Sequence, residues 1–273
     1  MVIPVGCLHR LLPLFNMLAT LIEWDKALLL AINGWNSPFF DEVMFWISDR
    51  LVWIPFYVSL IYVLIRSKRF DAIYGLLAVA LTVLLADQFA SGFCKPFFER
   101  LRPTHDPTMQ PFVNLVHGHT SSVYGFCSSH ASNTCGIAVL TSLIFRNKTY
   151  TYTVGSWALL NCYSRMYMGV HYPGDILCGA LAGMLIGYLC YRLYLWCVTK
   201  ELKMPSSSSV YLKGIDKQNV MVVLLVYLLT FATIIGYACY CVCGWKLHKL
   251  RFFVQKSSFI GQNNVLLPCN FNH

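Results

Sequence analysis

The sequence predicts an all-α fold: a polytopic transmembrane helical bundle of about six helices, preceded by N-terminal interfacial helices. Three observations carry this expectation. Of the 273 residues, 57% are hydrophobic and 12% charged, where soluble domains carry roughly 25% charged residues. Apolar runs recur at 51–65, 70–93, 131–145, 149–168, 176–198 and 220–242, and Lys and Arg gather in alternate gaps between them. About 20 residues cross the hydrocarbon at 1.5 Å each, so the first and third runs are expected to extend into their polar flanks. Too little polar sequence remains for a separate extramembrane domain. The chain therefore reads as one domain in three parts: 1–50 as interfacial amphipathic helices, 51–198 as the core, and 199–273 as a linker, an extra apolar helix and a basic C-terminal tail.

Residues 20–50 mix apolar clusters (Leu28, Leu29, Leu30, Phe39, Phe40, Phe45, Trp46) with Glu23, Asp25, Lys26, Asp41 and Glu42, and turn residues fall at Asn33-Gly34 and Ser37-Pro38. Two amphipathic helices in the interface fit this pattern. One further span over 11–32 is the competing reading, and it would put Glu23, Asp25 and Lys26 in its middle. No basic start, apolar stretch and small-residue site of a cleaved signal peptide is found. Arg66, Lys68 and Arg69 lie between runs one and two, Arg146 and Lys148 between three and four, and Lys200, Lys203, Lys213 and Lys217 between five and six. These gaps share one side, which the positive-inside rule makes cytoplasmic. The loops at 94–130 and 169–175 then face the periplasm or exterior of an inner (cytoplasmic) membrane protein. Lys246, Lys249, Arg251 and Lys256 run against this parity. The Pro/Ser stretch at 205–209 makes the last run read as an appendage to a five-helix core.

The formal net charge of +9 does not point to nucleic acid, because the basic residues lie between apolar runs rather than in one patch with interleaved aromatics. Topology and an anionic substrate explain them. Six of the twelve cysteines, Cys135, Cys162, Cys178, Cys190, Cys197 and Cys239, lie within apolar runs and read as small apolar fillers. Cys239, Cys241 and Cys243 have no histidine or carboxylate nearby, so packing is preferred to metal binding. Cys94 and Cys127 flank the polar clusters and are candidates for pairing if that face is oxidising.

Three polar clusters converge on the non-cytoplasmic side. In the first, Lys95 and Arg102 are each followed by a helix-stopping proline, Pro96 and Pro103, so both cations can be brought round one anion. The second, Cys127-Ser128-Ser129-His130, opens a helix. Hydroxyls and free backbone N–H groups there suit an anion, with His130 beside them as a proton donor. The third sets Ser164-Arg165, His171 and Asp175 in the pattern S-R-x5-H-x3-D. At roughly 5% usage per residue, its chance frequency is on the order of 10⁻⁵ per starting position. Asp87, in the second run, is expected to pair structurally. His105, His117 and His119 lack ligand spacing and read as solvent-facing or substrate-contacting.

In this order, K-x6-R-P, Ser-x-His and S-R-x5-H-x3-D resemble the three signatures of the type 2 phosphatidic acid phosphatase (PAP2) family, over about residues 50–198. One departure stands out: the family's usual P-S-G-H has Cys127 for its proline and Ser129 for its glycine. The resemblance implies a membrane lipid phosphate phosphatase that works through a phosphohistidine. It makes His171 the nucleophile, Asp175 its orienting carboxylate and His130 the acid, then base. Lys95, Arg102, Arg165, Ser128 and Ser129 hold the phosphoryl group, with no cofactor and no metal. The implied partners are a lipid phosphate and the bilayer. Undecaprenyl diphosphate is the first-choice substrate, followed by the 1- or 4'-phosphate of lipid A, then phosphatidylglycerol phosphate or phosphatidate. Two other classes compete: a transporter, which has no reason to place Ser-x-His and His-x3-Asp on one face, and a vanadate-dependent haloperoxidase, which would be soluble.

Overall fold

The computed structural model describes residues 5–68, 72–201 and 215–263, with backbone alone at 5–12, 14, 15, 68, 201 and from 245 onward. The 205–209 linker and the loop residues Arg69, Lys203 and Lys213 lie outside the described residues. The elements are α1 (Val5–Asn33), α2 (Pro38–Ser48), α3 (Ile54–Lys68), α4 (Ala72–Asp87), α5 (Lys95–Phe98), α6 (Ser129–Phe145), α7 (Lys148–Tyr167), α8 (Pro173–Glu201) and α9 (Lys217–Asn263), with a π-helical segment at Gln88–Cys94 joining α4 to α5. Among the described residues no β-strand forms, and a lone bridge pairs Leu101 with Tyr124.

The turn expected at residues 33–38 separates α1 from α2. There Ser37 caps α2 by accepting the Phe40 N–H at 3.3 Å, and Pro38 takes the first helical position where its missing N–H costs nothing. The six apolar runs become α3, α4 with α5, α6, α7, α8 and α9. Ala72–Phe98, Pro173–Lys200 and Lys217–Gly244 are long and apolar enough to cross a membrane, and Ile54–Ser67 is apolar but shorter.

By contrast, α6 and α7 carry polar side chains because they face protein rather than lipid. Ser132, Thr134 and Thr141 of α6 and Thr153, Asn161 and Ser164 of α7 are all buried. Thr134, Thr141 and Thr153 each donate to the carbonyl four residues earlier, at 2.8, 2.7 and 2.9 Å. A buried hydroxyl is thereby satisfied without a partner helix.

Two features position the end of the bundle that carries the polar clusters. Gly179, Gly183 and Gly187 form a stripe along α8 where an added Cβ would collide with the backbones of Ser128, Ser132 and Gly136 of α6. This small-residue spacing lets the two backbones touch. At the head of the seam the Ser128 N–H donates to the Asp175 carbonyl at 3.0 Å. At the other end of α6, Arg146 adopts φ 49°, and Asn147 caps α7 by accepting the Tyr150 N–H at 3.1 Å, so the chain reverses within two residues. The last helix joins the core rather than standing apart: Val223, Tyr227, Ile234 and Ala238 are buried in it, and Tyr227 stacks on Trp53 with centroids 6.0 Å apart.

Candidate active site

The π segment and the short α5 carry Lys95 to the end of the long helix. Its ammonium donates to Ser91 Oγ at 2.9 Å and reaches Ser129 Oγ at 3.4 Å, while Ser91 in turn donates to Asp87 at 3.4 Å. Asp87 thus sits behind the cation through a hydroxyl. Past α5 the chain is irregular, and Arg102 is held by its own backbone: its N–H donates to the Val123 carbonyl at 3.0 Å. Its guanidinium, 4% exposed, donates to the carbonyls of Tyr124 (3.1 Å) and Val170 (3.0 Å) and to Ser122 Oγ (3.2 Å). Burial, partly offset by Asp175, pushes its pKa down to about 10, so it is a cation at neutral pH.

Gly169, with φ +69°, ends α7 and turns the chain through a region that suits glycine. His171 follows two residues later, fully buried. Its Nε2 lies 2.9 Å from Arg102 Nη1, and its Nδ1 lies 3.4 Å from Asp175 Oδ2. Arginine can only donate, so Nε2 accepts and the ring proton belongs on Nδ1, facing Asp175. Burial, then Arg102, Arg165 and Lys95, hold the His171 pKa well below the usual imidazole range. The result is a neutral imidazole with its lone pair on Nε2, the form that can attack phosphorus.

Arg165, at the end of α7, is 5% exposed; it bonds Ser48 Oγ through Nη1, and its buried Nε has no partner. Ser128 and Ser129 divide their tasks. Ser128 is fully buried and caps α6 by accepting the Ala131 N–H at 3.4 Å, whereas Ser129 and His130 line a cavity. That cavity, about 540 Å³, is also lined by Arg102 and Arg165 and runs down between Leu60 and Leu64 of α3, Val79 and Val83 of α4, and Ile137 of α6. A cationic head and an apolar shaft suit a phosphate attached to a hydrocarbon tail.

The three sequence clusters therefore meet at one end of the bundle. Cys94 and Cys127 share a small buried cluster as free thiols, and Cys239 and Cys243 are exposed. Of the loop histidines, His117 reaches Glu42 at 3.1 Å and His105 reaches Thr104 at 3.0 Å. His119 lies close enough for Arg165 and Arg102, after burial, to lower its pKa.

Four residues here, Arg50, Arg100, Asp25 and Asn33, were not read as site residues from the sequence. Arg50 lines the cavity. Arg100 bridges Asp25 at 2.6 Å and Asp175 at 2.8 Å. Asn33, 1% exposed, ties the end of α1 to the Tyr167 carbonyl at 2.6 Å and to both backbone groups of Asn114. An acidic residue in an apolar helix, such as Asp25, was the available signal.

Residues 75–199 match the model of the PAP2 superfamily. A lipid A 4'-phosphatase of Porphyromonas gingivalis is 38% identical over 67% of this chain and 78% of its own length. A lipid A 4'-phosphatase of Bacteroides thetaiotaomicron is 34% identical over 81% of this chain and 98% of its own. The solved structure of a transmembrane PAP2-type phosphatidylglycerolphosphate phosphatase from Bacillus subtilis is 22% identical, with a TM-score of 0.51, covering 73% of this chain and 98% of that one, a likeness of fold. Sequence kinship along nearly the whole of a relative and a shared helical architecture lead to one assignment: this chain belongs to the PAP2 superfamily and is a membrane phosphatase of lipid phosphates.

Proposed function

We propose that the protein removes the 4'-phosphate of lipid A through a phosphohistidine on His171. The observation that carries this reading is the cavity in which buried cations meet an apolar shaft. A phosphoryl group there takes the Arg102 N–H now given to Nε2, together with the unpartnered Nε of Arg165, Lys95, Ser129 and the free N–H groups at the start of α6. Nε2 attacks, Asp175 supports the Nδ1 proton, and His130 protonates the departing sugar oxygen before activating water for the second step. Positive charge comes from side chains, and the reaction as drawn needs no metal.

Undecaprenyl diphosphate, the first choice from sequence, ranks second. The relatives matched over most of their length carry the lipid A name. Asn133 Oδ1 and Trp157 Nε1, on residues lining the cavity, are buried without a partner. The amide and ester groups of an acylated sugar can meet such atoms, and a polyprenyl chain cannot, which penalises the bare hydrocarbon. The proposed location is the inner membrane with the site facing the periplasm. Incubating purified protein with bisphosphorylated lipid A and, separately, undecaprenyl diphosphate tests the substrate. Loss of the 4'-phosphate by mass spectrometry, with slow turnover of the diphosphate, is expected. Release of the 1-phosphate, or preference for the polyprenyl lipid, refutes it.

A further inference from the structure

Asp175 is completely buried, and both of its oxygens are engaged: Oδ2 by the Tyr172 N–H at 3.0 Å and by His171 Nδ1 at 3.4 Å, Oδ1 by Arg100 Nη1 at 2.8 Å. The second arm of the same guanidinium donates to Asp25 Oδ2 at 2.6 Å. The other oxygen of Asp25 accepts the Gly174 N–H at 2.7 Å, so a carboxylate from α1 satisfies a free amide in the first turn of α8. Arg100 also lies over the Tyr172 ring at 4.1 Å, and the Tyr172 hydroxyl donates to Asp106 at 3.0 Å. Lys26, the neighbour of Asp25, approaches Asp106 at 3.8 Å and donates to Thr108 at 3.1 Å. Burial opposes the charge on Arg100, but Asp175 and Asp25 outweigh it and raise its pKa.

We infer that Arg100 and Asp25 are positioning residues for the His171–Asp175 pair, making α1 a working part of the catalytic machinery. A carboxylate with no solvent stays ionised only beside a counter-charge, and here that charge is Arg100. Its planar fork fixes the angle of the carboxylate as well as its ionisation. Asp25 in turn fixes the fork and pins the backbone at Gly174, one residue before Asp175. Neither residue touches the phosphoryl group. Their effect passes through Asp175 to the Nδ1 proton, and so to the lone pair on Nε2.

The inference rests on His171 being the nucleophile, and the test separates the two. Wild type, Arg100→Gln, Arg100→Lys and Asp25→Asn, each with and without Asp175→Asn, are assayed on p-nitrophenyl phosphate in detergent, with trapping of the phosphoenzyme. Failure of the wild type to label on His171 refutes the nucleophile. Given that label, Arg100→Gln is expected to lower kcat by about ten-fold or more with little change in KM, and Asp25→Asn to lower it by about three-fold. Arg100→Lys, which keeps the charge, recovers part of the loss. Removing the cation favours protonated Asp175, so the acid limb of kcat/KM moves to higher pH in Arg100→Gln. In the Asp175→Asn background both substitutions cost less than about two-fold, because their route is already cut. Equal fractional losses in both backgrounds, or a rise in KM alone, overturn the inference. Should Arg100→Gln fail to fold, the Lys and Asp25→Asn variants read the same cycle.

Discussion

The tasks proposed for His171 and His130 separate by leaving group. An alkoxide leaves only with a proton, whereas nitrophenolate leaves unaided. His130→Ala should therefore lose far more activity on a lipid monophosphate than on p-nitrophenyl phosphate, provided water attack is not limiting. His171→Ala should be inactive on both. A trapped phosphohistidine that survives His171→Ala and vanishes in His130→Ala would reverse the assignment. The buried imidazole also carries a stability cost with a definite sign. Its pKa in the fold lies well below 6.5, so the unfolded chain binds the extra proton first. Stability is greatest above pH 6.5 and falls as the pH drops below it, by at most about 1.4 kcal/mol per unit. Melting of the detergent-solubilised protein between pH 7 and 4.5 should show this slope, and His171→Asn should flatten it; equal slopes would contradict the burial argument. Sequence alone gave the residue types of this site because their spacing is chemically restrictive. It missed the split between Ser128 and Ser129, since a hydroxyl that caps a helix and one that lines a cavity look alike in a string of letters. It missed Arg100 because only the fold shows which cation of Lys95, Arg100 and Arg102 turns toward a carboxylate.

Between elements, the α6–α8 seam holds the second and third clusters in register. A Cβ at Gly183 would run into the Ser132 backbone, whereas one at Gly155 of α7 meets nothing within 4 Å. Gly183→Ala should cost about 1–3 kcal/mol through overpacking and lower activity. Gly155→Ala should be neutral or stabilise by up to about 1 kcal/mol, since glycine weakens a helix. Thermal denaturation in detergent ranks them, and a tolerated Gly183→Ala would mean that the seam is looser than described. The helices themselves were legible from apolar runs. What was not legible was why α6 and α7 are polar, because Thr134, Thr141 and Thr153 pay for their burial inside their own helices. The extent of α1 was also hidden, as Asp25 and Lys26 interrupt its apolar pattern for partners more than 70 residues away.

For the molecule as a whole, the proposed orientation rests on loop charge, a property of the sequence that folding does not alter. Lys148 opens α7, and Thr108 lies in the loop that carries Arg102. Reporter fusions at these two positions should give opposite results, with Lys148 cytoplasmic; a cytoplasmic signal at Thr108 would reverse the topology. The all-helical architecture of the described residues was readable because apolar runs of helical length dominate the sequence. The packing of α9 on Trp53 and Trp46, through Tyr227 and Tyr237, was not, since nothing in a run of valines and leucines names its neighbour.

The cavity's walls come from α3, α4, α6 and α7, and α4 belongs to a stretch long and apolar enough to cross a membrane, so a lipid is expected to reach the shaft from among the lipid tails. A substrate drawn from there is counted per unit of membrane rather than per unit of water. In mixed micelles the rate should follow the mole fraction of substrate in detergent: adding detergent at fixed total lipid should slow turnover, and raising both together should leave it unchanged. A rate set by bulk concentration alone would mean that the lipid enters from water, and that the shaft is not the route by which the enzyme meets its substrate.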